Sequence, residues 1–177
     1  MRLFVAINIP DNIRNEIKNI QKSLDFPELK IVEPKNLHIT IKFLGEVGES
    51  LKDKIIEVLR GIKFQKFEIG LSNIGVFPNE KYIKVIWIGC QSSELVEFTK
   101  RVDMSLSKLG FELEKDYVPH LTLARVKKKP PSILHSFLEK YKTVEIDNFL
   151  VEKIVLKKST LTPKGPIYED IHEILLK

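Results

Sequence analysis

Cysteine and long apolar runs are what this sequence has least of. The single cysteine, Cys90, can neither close a disulfide within the chain nor build a thiolate metal cluster, which excludes a disulfide-stapled scaffold and a cysteine-based zinc module. It is expected to be a small buried apolar residue at a strand end. The longest apolar runs, such as Leu3 to Ile7 and Val85 to Ile88, fall far short of the roughly 20 residues that span a bilayer. The N-terminus lacks the basic, apolar and small-residue succession of a signal peptide. We therefore expect a cytoplasmic protein without a membrane partner. No low-complexity stretch or flexible linker divides the chain, and glycine and proline punctuate turns, so one domain over residues 1–177 is expected.

What is present is an ordinary globular composition with a moderate positive bias. With 43% apolar residues, 177 residues can bury a proper core. The formal charge of +5 fits a polyanionic partner such as nucleic acid without requiring one. The run Lys127-Lys128-Lys129 fits a solvated face, or a surface that steers an RNA backbone.

Periodicity gives the order of elements. Leu3 to Ile9 reads as an apolar strand covered on both faces, and Asp11 or Asn12 can cap a helix carrying Ile13, Ile17, Ile20 and Leu24. A loop through Pro34 leads to a strand at Leu37 to Gly45. Ser50 and Asp53 stand at capping-box spacing for a second helix with Leu51, Ile55, Val58, Leu59 and Ile62 on one side. A half-buried strand from Phe67 closes at Pro78-Asn79-Glu80. The order then repeats: an apolar strand Ile83 to Gly89, a helix opened by Ser92 or Ser93 and closed by Gly110, a strand-like Phe111 to Glu114, a strand at Pro119 to Lys127, and a short helix carrying Leu134, Phe137, Leu138 and Tyr141. Two strands end the chain, about Val144 to Leu161 with a break near Asp147-Asn148, and Ile167 to Leu176. The fold class is α+β: two similar modules, about 1–78 and 82–161, completed by the last strand and forming two lobes, with mainly antiparallel sheets, outer helices and a cleft between.

Within this repeat, two stretches are nearly the same. LHITIKFLG and PHLTLARVK each carry His, an apolar residue, Thr and another apolar residue. Strand alternation puts His38 and Thr40 on one face and Ile39 and Ile41 on the other, and likewise His120 and Thr122 against Leu121 and Leu123. At ordinary usage such a triplet arises roughly once per 1,000 positions. His38 lies 35 positions after Leu3, and His120 lies 37 after Ile83, so the triplets occupy matching places and a pseudo-two-fold packing would bring them face to face. A single copy reads as a solvent-facing polar row; two matched copies read as a site.

Two imidazoles without a carboxylate on the same strand face do not make a zinc site. They do suit acid–base chemistry, one neutral and taking a proton from water, the other protonated and donating to a leaving oxygen. The threonine hydroxyls can hydrogen-bond a phosphate held between them. A cation is then wanted for the charge developing on phosphorus, and Lys42 and Arg125 are nearest in sequence. Arg125 has the wrong parity to share a face with His120 unless the strand bends, twists or ends first.

HITI and HLTL in this arrangement, with MRLFVAI at the start, PHLTLAR in the second half and LTPKGPIY near the end, resemble the 2H phosphoesterase superfamily, and within it the RNA 2′,3′-cyclic phosphodiesterases, also called 2′-5′ RNA ligases. The resemblance covers essentially the whole chain. It implies a two-lobed α+β fold with internal duplication. It further implies metal-independent and cofactor-free hydrolysis of a terminal 2′,3′-cyclic phosphate on an RNA or nucleotide to a 2′-phosphomonoester. It makes His38 the proton donor to the 3′ oxygen, His120 the proton acceptor that activates water, and Thr40, Thr122 and Arg125 the phosphate-binding residues. A monomer is expected. Two other readings stay open: ligation at the same site, and a non-catalytic RNA-binding module. His135 and His172, lacking a Thr partner, are expected at the surface; Phe4, Phe43 and Trp87 are expected in the core, with Phe4 and Phe43 alternatively able to stack a base.

Overall fold

The computed structural model describes residues 1–177. Nine strands join in one antiparallel sheet: β1 (Arg2–Asn8), β2 (Leu29–Ile31), β3 (His38–Glu46), β4 (Phe67–Asn79), β5 (Tyr82–Gln91), β6 (His120–Val126), β7 (Glu145–Val151), β8 (Lys153–Thr162) and β9 (Gly165–Leu175). Four helices accompany them: α1 (Asp11–Gln21), α2 (Glu49–Arg60), α3 (Ser93–Ser107) and α4 (Leu134–Tyr141). The strand order is β7-β4-β5-β6-β3-β1-β8-β9, with β2 paired to β6. Read outward from the centre, β6, β5, β4 and β7 on one side match β3, β1, β8 and β9 on the other. The centre is a single residue pair, Ile39 opposite Leu121.

The sequence halves 1–78 and 82–161 do not coincide with the two lobes, because they exchange elements. Strand β4, from the first half, pairs with β5 and β7; strand β8, from the second, pairs with β1. The helices cross over as well: α1 packs against β6 and β7, and α3 against β3 and β4. An exchange of this kind makes neither lobe complete without both halves of the chain. Accordingly, one continuous core of 40 buried residues runs through the molecule, including Leu3, Val5 and Ile7 of β1, Ile39 and Ile41 of β3, and Leu121 and Leu123 of β6.

Several sequence expectations need correction. Helix α2 starts after Gly48 without a side-chain cap, so Ser50 and Asp53 form no capping box; α1 likewise starts after Pro10, uncapped by Asp11 or Asn12. Ser92 does cap α3, its Oγ accepting from the Leu95 N–H at 3.1 Å. Phe111 to Glu114 is not a strand. Its backbone is claimed by side chains instead: the Glu114 N–H donates to Asp103 Oδ2 at 2.8 Å, and the Glu112 carbonyl accepts from Lys42 Nζ at 2.7 Å. The break between the late strands falls at Glu152, where the extended chain passes from the β4 side of the sheet to the β1 side. Strand β2 was not foreseen; three residues show no periodicity, and only long-range pairing to β6 defines it.

Lys42 lies on the helix side of β3, buried, and donates to Asp103 Oδ1 of α3. Every polar atom of this pair has a partner, so it ties β3 to α3 and to the segment before β6 without an orphaned charge. Removing one member leaves the other charge uncompensated. Asp103→Ala should therefore cost about 3–5 kcal/mol of stability, whereas the Lys42→Met, Asp103→Leu double variant costs much less, as read by urea denaturation. Equal losses in both would contradict this account of the pair.

Candidate active site

Pinning Ile39 and Leu121 in the core turns their neighbours outward, so His38, Thr40, His120 and Thr122 all reach the opposite, concave face of the sheet. In the register set by that pair, His38 faces Thr122 and His120 faces Thr40. The two histidines are diagonal neighbours, which in a regular ladder stand about 7–8 Å apart.

The parity problem of Arg125 is solved by a bulge. Between β5 and β6 the register shifts: Trp87 opposes Thr122, Ile86 opposes Ala124, and Leu123 is the extra residue. A bulge re-aims every later side chain, so Arg125 joins His120 and Thr122 on the cleft face. The same shift occurs in β3, where Ala6 opposes Thr40, Val5 opposes Lys42, and Ile41 is extra. There it sends Phe43 to the cleft and Lys42 to the helices. Lys42, one of the two cations nearest the triplets in sequence, is thus not in the cleft. Phe43 and Arg125 occupy equivalent positions in the two lobes, and Phe43 is 68% exposed instead of buried in the core.

The cleft so formed has a volume of about 680 Å³ and is lined by His38, Thr40, His120, Thr122 and Arg125 together. Both imidazoles are held in the same way. Nδ1 of His38 donates to the Asn36 carbonyl and Nδ1 of His120 to the Val118 carbonyl, each at 2.7 Å and each two residues back along the chain. In the neutral ring this leaves Nε2 as the unprotonated nitrogen on both sides. Nε2 of His38 lies 3.1 Å from Thr40 Oγ1. Nε2 of His120 has no protein partner.

Aromatic rings wall in each histidine. Phe4 and Tyr168 pack on His38, with centroids 5.1 and 5.2 Å away, and Phe77 packs on His120 at 4.9 Å, with Trp87 behind it at 6.1 Å. Phe4 is buried as expected, yet its core position is also a contact of the site. Trp87 is half-buried on the cleft face. Burial is the main reason the His38 pKa is pushed down to about 4, and the charges of Lys157, Arg125 and His120 lower it further. His120 is lowered too, first by burial and then by Arg125.

Sequence reasoning missed Tyr168, Phe77 and a polar network beside His38. Asn8, directly across from His38 in β1, donates Nδ2 to Asp170 Oδ2 at 2.9 Å, and buried Lys157 donates to Asp170 Oδ1 at 2.5 Å. Burial opposes the Asp170 charge, but the hydrogen bonds from Lys157 and Asn8 outweigh it and hold this carboxyl below the usual range. The LTPKGPIY segment, which places Tyr168, was the available signal. His135 is exposed, while His172 is half-buried and accepts from Arg60 Nη2 at 2.8 Å. Cys90 is buried, its thiol pKa raised by desolvation. Lys127 to Lys129 follow β6 and do not line the cleft. No three His, Cys, Asp or Glu side chains converge as a metal-binding group, and no helix is long and apolar enough to cross a membrane.

A family model described as LigT like Phosphoesterase matches twice, over residues 7–87 and 88–168, one match for each copy of the His-and-Thr triplet. The chain belongs to the LigT-like phosphoesterase family. Among family members, the RNA 2′,3′-cyclic phosphodiesterase of Methanocaldococcus jannaschii is 51% identical, over 98% of this chain and 99% of that one. The protein of the same name from Archaeoglobus fulgidus is 44% identical, over 97% and 98%. A solved Thermus thermophilus structure superposes with a TM-score of 0.88 at 27% identity, covering 99% of this chain and 98% of that one. LigT from Escherichia coli, solved in complex with 3′-AMP, shares the fold with a TM-score of 0.79 at 22% identity, covering 99% and 97%. The LigT-like fold is thus a mainly antiparallel α+β duplication, as the repeat in the sequence implied.

The depressed pKa of His38 has a cost in stability. Below pH 6.5 an unfolded chain binds a proton that the folded site refuses until about pH 4, so stability falls as pH drops through that window. The loss from this group is about 3 kcal/mol, and His120 adds to it in the same direction. Urea denaturation at pH 7 and pH 4 should show His38→Gln losing markedly less stability than the wild type; identical losses would mean that His38 is not buried in its neutral form.

Proposed function

We propose that this protein hydrolyses 2′,3′-cyclic phosphate ends of RNA to 2′-phosphomonoesters, without a metal or other cofactor, through His38 and His120. One observation carries the reading: two histidines, each anchored through Nδ1 to a backbone carbonyl and each followed by a threonine two residues on, share one cleft with an arginine brought in by a bulge. The activity named for relatives at 51% and 44% identity supports it.

In the proposed reaction each histidine moves one proton, with the donor and acceptor roles taken from the family resemblance. His120 Nε2, free of protein partners, takes a proton from water as the water oxygen attacks phosphorus. The P–O3′ bond breaks, and Nε2–H of His38 delivers a proton to the departing 3′ oxygen, leaving a 3′-hydroxyl and a 2′-phosphate. The Thr40 and Thr122 hydroxyls and the Arg125 guanidinium hold the non-bridging oxygens, whose charge grows in the transition state. In-line displacement requires acid and base on opposite sides of phosphorus, which two histidines diagonal across one cleft would provide.

A donor must carry a proton, and burial keeps His38 neutral at pH 7 in the free protein. The substrate supplies the remedy. A phosphate anion about 4 Å away, at an effective dielectric of about 20, favours the imidazolium by about 4 kcal/mol, roughly a thousandfold in proton affinity. The anion raises the proton affinity of both histidines, which titrate as a coupled pair, and the singly protonated form with the proton on His38 and His120 neutral is the one that reacts.

The direct test is turnover of a short RNA ending in a 2′,3′-cyclic phosphate, in the presence of a chelator, for the wild type, His38→Ala and His120→Ala. The wild type should yield a 2′-phosphate end, and each substitution should slow turnover at least roughly 100-fold. Loss of wild-type activity in chelator would remove the metal-free reading, and a cyclic end left intact would remove the substrate. The pH dependence gives a second test. Because both histidines are lowered in the free protein, the bell for kcat/KM should centre below pH 6.5, while that for kcat, which reports the anion-bound site, lies higher. Coincident bells, or a flat profile between pH 5 and 8, would contradict the assignment.

A further inference from the structure

The cleft carries more positive charge than one phosphate needs. Arg2, Lys30, Arg125 and Lys164 all line it, and none has a carboxylate within 4.0 Å. The one acidic residue on the rim, Glu33, is paired with Lys35 at 3.3 Å. Lys30 is the most informative of the four. It lies on β2 directly opposite Arg125 in the β2–β6 register, so two like charges are cross-strand neighbours on one face. Such a pair is destabilising by itself, and no carboxylate lies within 4.0 Å of either side chain to offset it.

Lys30 is also built into position. Its Nζ donates to the Lys164 carbonyl at 3.1 Å, which links β2 to the β8–β9 hairpin across the cleft mouth. The hairpin can come this close because residue 165 is glycine at φ +120°, and a Cβ there would stand 2.6 Å from Lys30 Nζ. An ammonium has three N–H donors, and this contact uses one. The remaining donors and the Lys164 side chain border the cleft beside Arg125.

We propose that Lys30 and Lys164 form a second phosphate subsite, which holds the phosphodiester on the 5′ side of the terminal nucleotide while Arg125 attends the cyclic phosphate. This rests on the proposed reaction and refines its substrate: an RNA end with at least one further phosphate, in preference to a mononucleoside cyclic phosphate. Two adjacent cations then meet two adjacent phosphates of one strand, and the like-charge pair becomes complementary to its ligand.

The test compares adenosine 2′,3′-cyclic phosphate with the dinucleotide ApA ending in a 2′,3′-cyclic phosphate, for the wild type, Lys30→Met, Lys30→Arg and Lys164→Met. The wild type should prefer the dinucleotide in kcat/KM, and log KM for the dinucleotide should rise more steeply with log salt, by a slope difference of about 0.7 per phosphate contact. Lys30→Met and Lys164→Met should each shrink the preference, Lys30→Met roughly fivefold, with the change in KM, and Lys30→Arg should retain it. Equal losses on both substrates would place Lys30 at the reacting phosphate or in a merely structural role, and no wild-type preference would remove the subsite; either result overturns the proposal. If the wild type opens neither substrate, the phosphodiesterase reading itself falls and takes the subsite with it.

Discussion

The whole site depends on one cross-strand pair, Ile39 against Leu121. These two side chains close the core where the lobes meet, and the strict alternation of a pleat then leaves their neighbours no choice of face. A one-residue slip in either strand would bury a histidine and a threonine and expose an isoleucine or leucine. The apolar residues between the catalytic candidates are therefore the reason those candidates converge, and the energy that fixes the register is burial of hydrocarbon.

Beyond that axis the two copies diverge by what their bulges deliver. In β6 the extra residue Leu123 brings Arg125 to the cleft and leaves Ala124 in the core; in β3 the extra residue Ile41 brings Phe43 to the cleft and sends Lys42 to Asp103. Identical backbone devices thus give one lobe a cation and the other an aromatic ring. The result is a cleft with pseudo-symmetric histidines and an asymmetric lining.

The electrostatics of the cleft are one-sided. Arg125, Lys30 and Lys164 border it and lack carboxylate partners, and His38 is kept neutral by burial among rings and nearby cations. Uncompensated cations and a neutral imidazole on one face are an arrangement complementary to an anion. The rings on each histidine come from elements remote in sequence, Phe77 from β4 and Tyr168 from β9.

The chain by itself determined the repeat, the antiparallel α+β class and the paired His-and-Thr triplets, because alternation and helical spacing are local and each strand carries its own two-residue period. Tertiary structure decided what local pattern cannot encode. The face reached by Arg125 and Phe43 depends on bulges that appear only when β6 pairs with β5 and β3 with β1. Strand β2 exists only because β6 offers it an edge, and Phe111 to Glu114 forms no strand because Lys42 and Asp103 take its backbone groups. The acidity of His38 was equally hidden, since it comes from Phe4, Tyr168 and Lys157 gathered around one ring from three different strands. Sequence periodicity says which way a side chain points along its own strand, and only the packed sheet says what it meets there.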